Sequence, residues 1–320
     1  NFPFQAQLRA PLRRGRGYHA DAFKTQHAAP QYAALRGETR VLGVWDDHDF
    51  GMNNEGREWR EKTFAQKQFL DFLDEPADSP RRHREGVYEA YTFRGLGKRK
   101  NRSMRLVLVD TRYFKGPPPA EGGDAEDDHG ELLGDAQWAW LERILLGGSG
   151  TPGGKHKEAA GGDAADDDAA GGVGAAGDDT DPVDLTIVGS SIQVQADTGK
   201  LLKGMVDGVE SWGQFPREKR RLMDLVARSG SRTVFISGDV HHAEIVTAPA
   251  RCELPYELVE MTSSGMTHGI LDEIPNTHGL KSLMMAVTPN YLAQWFWPPV
   301  GTLQHLRYIA HNFGEVSIDF

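Results

Sequence analysis

Short apolar runs recur along the chain, and each ends at a small cluster of polar residues. Such runs occupy positions 40–45, 104–109, 185–188, 233–237 and 258–261. They are rich in Val, Ile and Leu and alternate little with polar residues, which is typical of strands in a sheet that is covered on both faces. The pattern therefore predicts five strands of one buried sheet system, each with polar residues at its carboxyl end.

Helical periodicity separates some of these runs. A helix capped by Asp135 and a second over 216–227 each carry one apolar face, formed by Trp138, Leu141 and Leu145 in the first and by Leu222, Leu225 and Val226 in the second. Alternating strands and helices predict an α/β fold, in which ligands bind at the carboxyl edge of the sheet.

Two further patterns predict local structure. The basic run 98–102 lies between strand-like segments 87–93 and 104–109, and we interpret it as the turn of a hairpin. Near the end of the chain Val316, Ile318 and Phe320 alternate with polar residues, which predicts a last strand.

One segment has a different composition. Residues 147–181 consist mostly of Gly, Ala and Asp, with hardly a large apolar side chain. Such a segment buries too little surface to offset the entropy of ordering it, so we predict a disordered insertion. Because the β–α rhythm continues on both sides, residues 1–320 are interpreted as part of one domain and not as two domains.

Charge and cysteine content narrow the function classes. Seven aspartates of the insertion account for most of the net charge of −10, and the remainder is an ordinary surface that does not favour specific nucleic-acid binding. Cys252 is the single cysteine, which excludes a thiolate-rich zinc or iron–sulfur site. No apolar run reaches the roughly 18 residues that a membrane span requires, and the strongest stretch, 283–300, is interrupted by prolines.

The first candidate site follows the apolar run 40–45. Asp46, Asp47 and Asp49 lie within four positions, with His48 between them and Asn53 close behind. Adjacent carboxylates repel one another unless a cation is present, and hard metals accept oxygen ligands from Asp and Asn. The alternative interpretation is a solvated acidic loop that caps a helix, but such loops seldom follow a buried strand directly. The pattern favours metal binding or catalysis.

A second candidate cluster follows the run 233–237. If the strand geometry continues, alternation places Asp239 and His241 on the same side, as a ligand pair two positions apart. Gly238 permits close approach of the backbone. A lone Asp-x-His is often no more than a hydrogen-bonded pair, so the argument depends on having two such clusters at strand ends.

Here the chain resembles a known family. From about Tyr32 to Phe320 it is similar to the PhoD-like alkaline phosphatases and phosphodiesterases, which are calcineurin-like metallophosphoesterases, in the segments WDDHDFGMNN, VDTRYF, LLGDAQWAWLE, GSSIQV, ESWGQFPREKRRLMDLV, SGDVHHAE, MTSSGMTH and HNFGEVSIDF. The resemblance implies a sandwich of two β-sheets flanked by helices, with two or more metal ions at the strand ends. It implies iron and calcium as the metals, while the donor types also suit zinc or manganese.

The resemblance also implies roles for single residues. The expected metal ligands are Asp46, Asp47, Asn53, Asp239 and His241. The expected catalytic residues are His48, which would protonate the leaving group, Asp49, which (or else Asp46) would hold its imidazole in the useful tautomer, and Arg112, which would contact phosphate or metal. The implied substrate is a small phosphoester.

One departure from the family pattern sets the alternative function. The family's first strand carries a Gly-Asp-Asn-x-Tyr-like motif whose Asp bridges two metals, and no segment before Trp45 matches it. We therefore expect this chain to lack the first metal-binding strand of the fold. Two functions follow: hydrolysis of phosphate monoesters and diesters, or a non-catalytic relative that retains residual metal or partner binding.

Overall fold

The computed structural model describes residues 17–119, 130–147, 173–175, 180–196, 210–250, 254–267, 269 and 305–320. Within these ranges the chain forms six α-helices and one sheet of eight strands, which confirms the α/β class. The family resemblance implies two sheets, whereas all the strands of the described residues belong to a single sheet.

The elements are numbered in chain order. The strands are β1 (Glu89–Leu96), β2 (Arg102–Val109), β3 (Val173–Ala175), β4 (Leu185–Ser190), β5 (Arg232–Ser237), β6 (Ala243–Ala248), β7 (Leu258–Ser263) and β8 (His305–Tyr308). The helices are α1 (Gly17–His27), α2 (Pro30–Glu38), α3 (Asp47–Phe50), α4 (Lys62–Phe72), α5 (Gly134–Leu146) and α6 (Pro216–Ser229).

The centre of the sheet is parallel and its two sides are antiparallel. The strand order is β3-β1-β2-β4-β5-β7-β6-β8, and β2, β4, β5 and β7 run parallel to one another. These four strands contain four of the five predicted apolar runs, which confirms them as strands. β1 and β2 pair antiparallel around the basic run, as expected for a hairpin.

The main core lies between the sheet and two helices. Val107 of β2, Val188 of β4 and Phe235 of β5 are fully buried with Leu141 of α5 and Leu225 of α6. Burial of each such side chain contributes about 1.5–3 kcal/mol, so this layer fixes the position of the strand ends above it. Both predicted apolar helix faces are buried in it.

A second core cluster surrounds Trp45, and here one prediction is wrong. Residues 40–45 do not form a strand. Trp45 packs with Phe69 of α4 at a ring distance of 5.6 Å, and the carbonyl of Gly43 accepts a hydrogen bond from the Arg81 side chain at 2.8 Å. A strand requires a neighbouring strand for its backbone groups, whereas this segment satisfies part of its backbone through a side chain.

The remaining local expectations have mixed outcomes. Most of 147–181 lies outside the described residues, but Val173–Ala175 departs from the expected disorder by pairing antiparallel with β1. The predicted last strand at 316–320 is not formed, and Val316 is 46% exposed there. No helix in the described ranges is long and apolar enough to cross a membrane.

Candidate metal centre

The carboxyl ends of the parallel strands bring polar residues to one edge of the sheet. Asp110 follows β2, Ser191 follows β4, Asp239 follows β5 and Ser264 follows β7. This edge is where α/β sheets bind their ligands, because the connecting loops leave the sheet there in opposite directions.

Asp239 occupies a tight turn after β5. Its φ is 75° and that of His241 is 56°, and the N–H of Val240 donates to the carbonyl of Gly238 at 3.0 Å. A side chain on Gly238 would approach the carbonyl of Ser191 to 3.3 Å, so the glycine permits close approach to the neighbouring loop. Left-handed conformations at residues other than Gly are uncommon, and Asp and His are among the residues that tolerate them best.

Three carboxylates meet at this turn. One oxygen each from Asp46, Asp47 and Asp239 can be chosen so that all three lie within 4.8 Å of one another. Oxygen ligands lie about 2.0–2.6 Å from Mg²⁺ or Ca²⁺, so two ligands of one ion are at most about 5 Å apart. The spacing and the all-oxygen donor set therefore fit a hard cation.

The pKa of Asp239 also supports a cation site. Burial raises the pKa of its carboxyl well above the usual range, and the neighbouring charges of Asp46 and Asp47 raise it further, while Arg112 opposes them. A bound cation would reverse this penalty, because it favours the ionised form of every carboxylate around it.

The short helix α3 presents Asp47. Asp47 is 3% exposed, and its two oxygens accept the N–H of His48 and the N–H of Asn54, both at 2.7 Å. These bonds fix the carboxylate in one orientation. The Asp49 carboxylate accepts the N–H of Asp46 at 3.2 Å, as in a capping box. Asp49 thus contacts backbone at the start of α3, and its role in orienting the imidazole of His48 stays a prediction.

His48 lies beside the carboxylates and reaches solvent. Its Nε2 is 4.0 Å from Oδ1 of Asp47, and its side chain is 19% exposed. A partly exposed imidazole next to a carboxylate is suited to exchange a proton with a ligand in the cleft.

Arg112 lies behind the carboxylates and is fully buried. Its Nε donates to Oδ1 of Asp46 at 2.9 Å, its Nη2 bonds the same oxygen, and its Nη1 bonds Glu210. Burial opposes the charged form, but Asp46 and Glu210 raise the pKa of the guanidinium well above its ordinary value. Arg112 therefore supplies a permanent positive charge to the site.

Two residues that the sequence does not single out support this arrangement. Asp110 is fully buried, and one of its oxygens accepts the indole N–H of Trp45 at 2.8 Å and the backbone N–H of Arg112 at 2.9 Å. Glu210 is 4% exposed and bonds Arg112 from the other side. Asp110 thus joins the segment before Asp46 to the loop that carries Arg112.

Two further predicted ligands, His241 and Asn53, stay predictions. Among the described residues His241 does not belong to the group of close carboxylates, because the positive φ at Asp239 and His241 breaks the alternation that would place both on one side. Its neighbour His242 is buried instead, with Nδ1 2.8 Å from the carbonyl of Val240. Asn53 is exposed, and the backbone of Asn54 contacts Asp47 in its place.

Comparisons with known proteins show a likeness to solved structures. No protein-family model matches the chain, and no curated protein sequence matches it. Among solved structures, a chain titled "Structure of PhoD" superposes with a TM-score of 0.43 at 16% identity. The match covers 69% of this chain and 39% of that one, so this chain spans about two fifths of that structure's length.

Proposed function

We propose that this protein hydrolyses phosphate monoesters or diesters with the help of metal ions held by Asp46, Asp47 and Asp239. The observation that carries the proposal is the approach of these three carboxylates, from two distant parts of the chain, to within 4.8 Å of one another. The resemblance of the flanking segments to PhoD-like phosphoesterases supplies the reaction type.

In this proposal the carboxylates bind the metal ions, and neighbouring groups hold the carboxylates in place. A bound cation would act as a Lewis acid toward the phosphoryl oxygens and would lower the pKa of a water molecule. Asp47, held by two backbone N–H groups, offers a fixed ligand oxygen. Asp46 has Oδ1 bonded to Arg112, which leaves Oδ2 available as a ligand.

His48 has the geometry of a general acid. When water attacks phosphorus and the bond to the leaving group breaks, the departing oxygen takes a proton from the imidazolium of His48. Nε2 of His48 lies 4.0 Å from the Asp47 carboxylate, which places the imidazole beside the proposed metal ligands.

The metal identity follows from the donors and from the resemblance. Three carboxylate oxygens suit calcium, manganese or iron, and the resemblance to the PhoD-like family favours iron and calcium. The proposal includes more than one ion, with His241 and Asn53 as further ligands.

The test combines metal binding with turnover. The purified chain is freed of metal, titrated with Mn²⁺, Ca²⁺ and Fe²⁺, and assayed with p-nitrophenyl phosphate and bis-p-nitrophenyl phosphate. We expect Asp47→Asn to weaken binding and turnover together, while the surface variant Asp184→Asn changes neither. Failure of every ion to bind the unaltered chain would refute the proposal. Binding without turnover would instead support the non-catalytic alternative.

A further inference from the structure

Two buried basic side chains, those of Arg112 and Lys115, connect the carboxylates of the candidate site through the buried carboxylate of Glu210. Arg112 bonds Asp46 through two of its nitrogens and Glu210 through the third. On its other oxygen Glu210 pairs with the ammonium of Lys115 at 2.6 Å. Glu210 therefore bonds both cations at once.

The same series of contacts continues from Lys115 to a second carboxylate of the site, that of Asp47. The ammonium of Lys115 donates to the carbonyl of Asn54 at 2.8 Å, and the N–H of Asn54 donates to Oδ2 of Asp47 at 2.7 Å. A continuous chain of polar contacts thus links one metal-site carboxylate to the other. We refer to it as the carboxylate clamp, and its members in order are Asp46, Arg112, Glu210, Lys115, Asn54 and Asp47.

We propose that Glu210 is a positioning residue of the metal site and that Arg112 acts on Asp46 and not on substrate, an inference that rests on the function proposed above. Arg112 is 0%, Glu210 4% and Lys115 6% exposed. A substrate that enters from solvent cannot reach these side chains without displacing what covers them. Every nitrogen of the Arg112 guanidinium already bonds a carboxylate.

The charges explain why the clamp needs an acid at its centre. Without Glu210, the cations of Arg112 and Lys115 would be buried with insufficient opposite charge. Both would then bond the metal-site carboxylates more strongly and compete with a metal ion for them, because a buried charge with no partner is costly. Glu210 balances the two cations, so that Asp46 keeps one oxygen for a metal.

The experiment compares Glu210→Gln with a matched variant. Glu75→Gln removes the partner of another fully buried arginine, Arg81, which Glu75 contacts at 3.0 Å in a different part of the fold. Binding of Mn²⁺ alone is titrated against a chelating dye in the unaltered chain and in both variants. We expect the Kd of Glu210→Gln to rise by about 10–100-fold, the usual effect of losing a residue that orients ligands. The Kd of Glu75→Gln should stay within about threefold. A Glu210→Gln variant that binds Mn²⁺ as tightly as the unaltered chain would overturn the inference.

Kinetics separate positioning from substrate contact. At saturating Mn²⁺ the KM of Glu210→Gln and of Arg112→Lys for bis-p-nitrophenyl phosphate should stay within about twofold of the unaltered chain, because neither side chain touches substrate and uniform binding is intact. A KM about tenfold higher in Arg112→Lys at saturating metal would assign Arg112 to the substrate and refute its role in the clamp.

A metal-free measurement tests the clamp even if no ion binds. Absence of Mn²⁺ binding by the unaltered chain would refute the proposed function, and urea unfolding in chelator would then decide the clamp alone. Asp46→Asn and Glu210→Gln together should lower stability by more than their separate effects, because the double variant leaves Arg112 without either carboxylate. Additive losses would show that the clamp does not couple the two acids.

Discussion

Replacing Asp239 by Asn should stabilise the metal-free protein although it removes a candidate ligand. Oxygens of Asp239, Asp46 and Asp47 lie within 4.8 Å of one another, and no bound cation separates them when a chelator is present. Asparagine keeps the shape of the side chain and its tolerance of the left-handed backbone, while it removes the charge. The substitution thus isolates the electrostatic cost of the site.

The size of the effect follows from Coulomb's law. Two unit charges at the 4.8 Å limit repel by about 3.5 kcal/mol when the effective dielectric constant is about 20. Asp239 forms two such repulsive pairs, one with Asp46 and one with Asp47. The attraction of Arg112 offsets an energy similar to that of one pair. We therefore expect the free energy of unfolding to rise by about 1–3 kcal/mol. Each kcal/mol should raise the melting temperature by roughly 2–4 °C.

The gain should depend on pH in one direction. Burial and the neighbouring aspartates raise the pKa of Asp239 in the folded state, so folding disfavours its charged form. Below the unfolded pKa of about 3.9 the carboxyl is neutral in both states, resembles Asn and carries no electrostatic penalty. As the pH rises through the elevated folded pKa, the stability of the unaltered chain falls relative to the variant. The difference in stability between the variant and the unaltered chain should therefore increase with rising pH.

Thermal unfolding in chelator at several pH values measures this difference. Asp184→Asn is the control, because the Ser103 backbone N–H and the Arg102 side chain lower the pKa of Asp184, so neutralising it should give no gain. With excess Mn²⁺ the order should reverse, since binding at 100 times Kd stabilises the unaltered chain by about 2.7 kcal/mol. If Asp239→Asn melts below the unaltered chain in chelator at pH 8, the carboxylates do not repel as the geometry implies.

Three further predictions test the site and its support. His48→Ala should lower phosphodiester turnover by about 10²–10⁴-fold with the greatest loss for poor leaving groups, and metal content measured by elemental analysis should not change. Gly56→Ala should cost about 1–3 kcal/mol in urea unfolding, because the added carbon would lie 2.2 Å from the carbonyl of Lys115. Although burial opposes it, hydrogen bonds from two basic side chains lower the pKa of Asp71. Asp71→Asn should therefore cost about 0.5 kcal/mol or less at pH 7, a loss that should disappear in thermal unfolding once the pH falls below the lowered folded pKa of Asp71.

The position of the site could be predicted from the sequence because it depends on the order of strands and polar clusters. β5 ends at Ser237, and Asp239 follows it within two positions. Parallel strands place such ends at one edge, which predicts the position of Asp239, whereas the segment 40–45 that leads to Asp46 and Asp47 is not a strand. Predicting the position of Asp239 therefore requires only the hydrophobic pattern that defines the strand before it.

Strands at the margin of the fold could not be predicted in the same way. Residues 40–45 and 316–320 both carry a strand pattern, but neither pairs in the sheet. An apolar or alternating pattern reports burial and side-chain direction, whereas strand formation also requires a neighbour with free backbone groups. For 40–45 the pattern reflects burial of Trp45 in the second core cluster.

Glu210 could not be found by spacing. It lies 98 positions from Arg112, and a lone glutamate before an aromatic segment looks like an ordinary surface residue. Its burial results from two cations brought to it by the loop after β2. Long-range ion pairs of this kind leave no periodic signal, because each partner is fixed by the packing of a different element.

The alternation assumed for Asp239 and His241 does not continue past β5, for a reason confined to the backbone. Positions two apart share a side only while the chain stays extended, and β5 ends before the two residues in question. The turn at Asp239 has φ of 75°, a conformation that costs about 1–3 kcal/mol at a residue other than Gly. Burial of the adjacent His242, with Nδ1 at 2.8 Å from the carbonyl of Val240, helps to hold this turn. The same turn that places Asp239 beside Asp46 and Asp47 therefore ends the alternation from which the pairing of Asp239 with His241 is predicted.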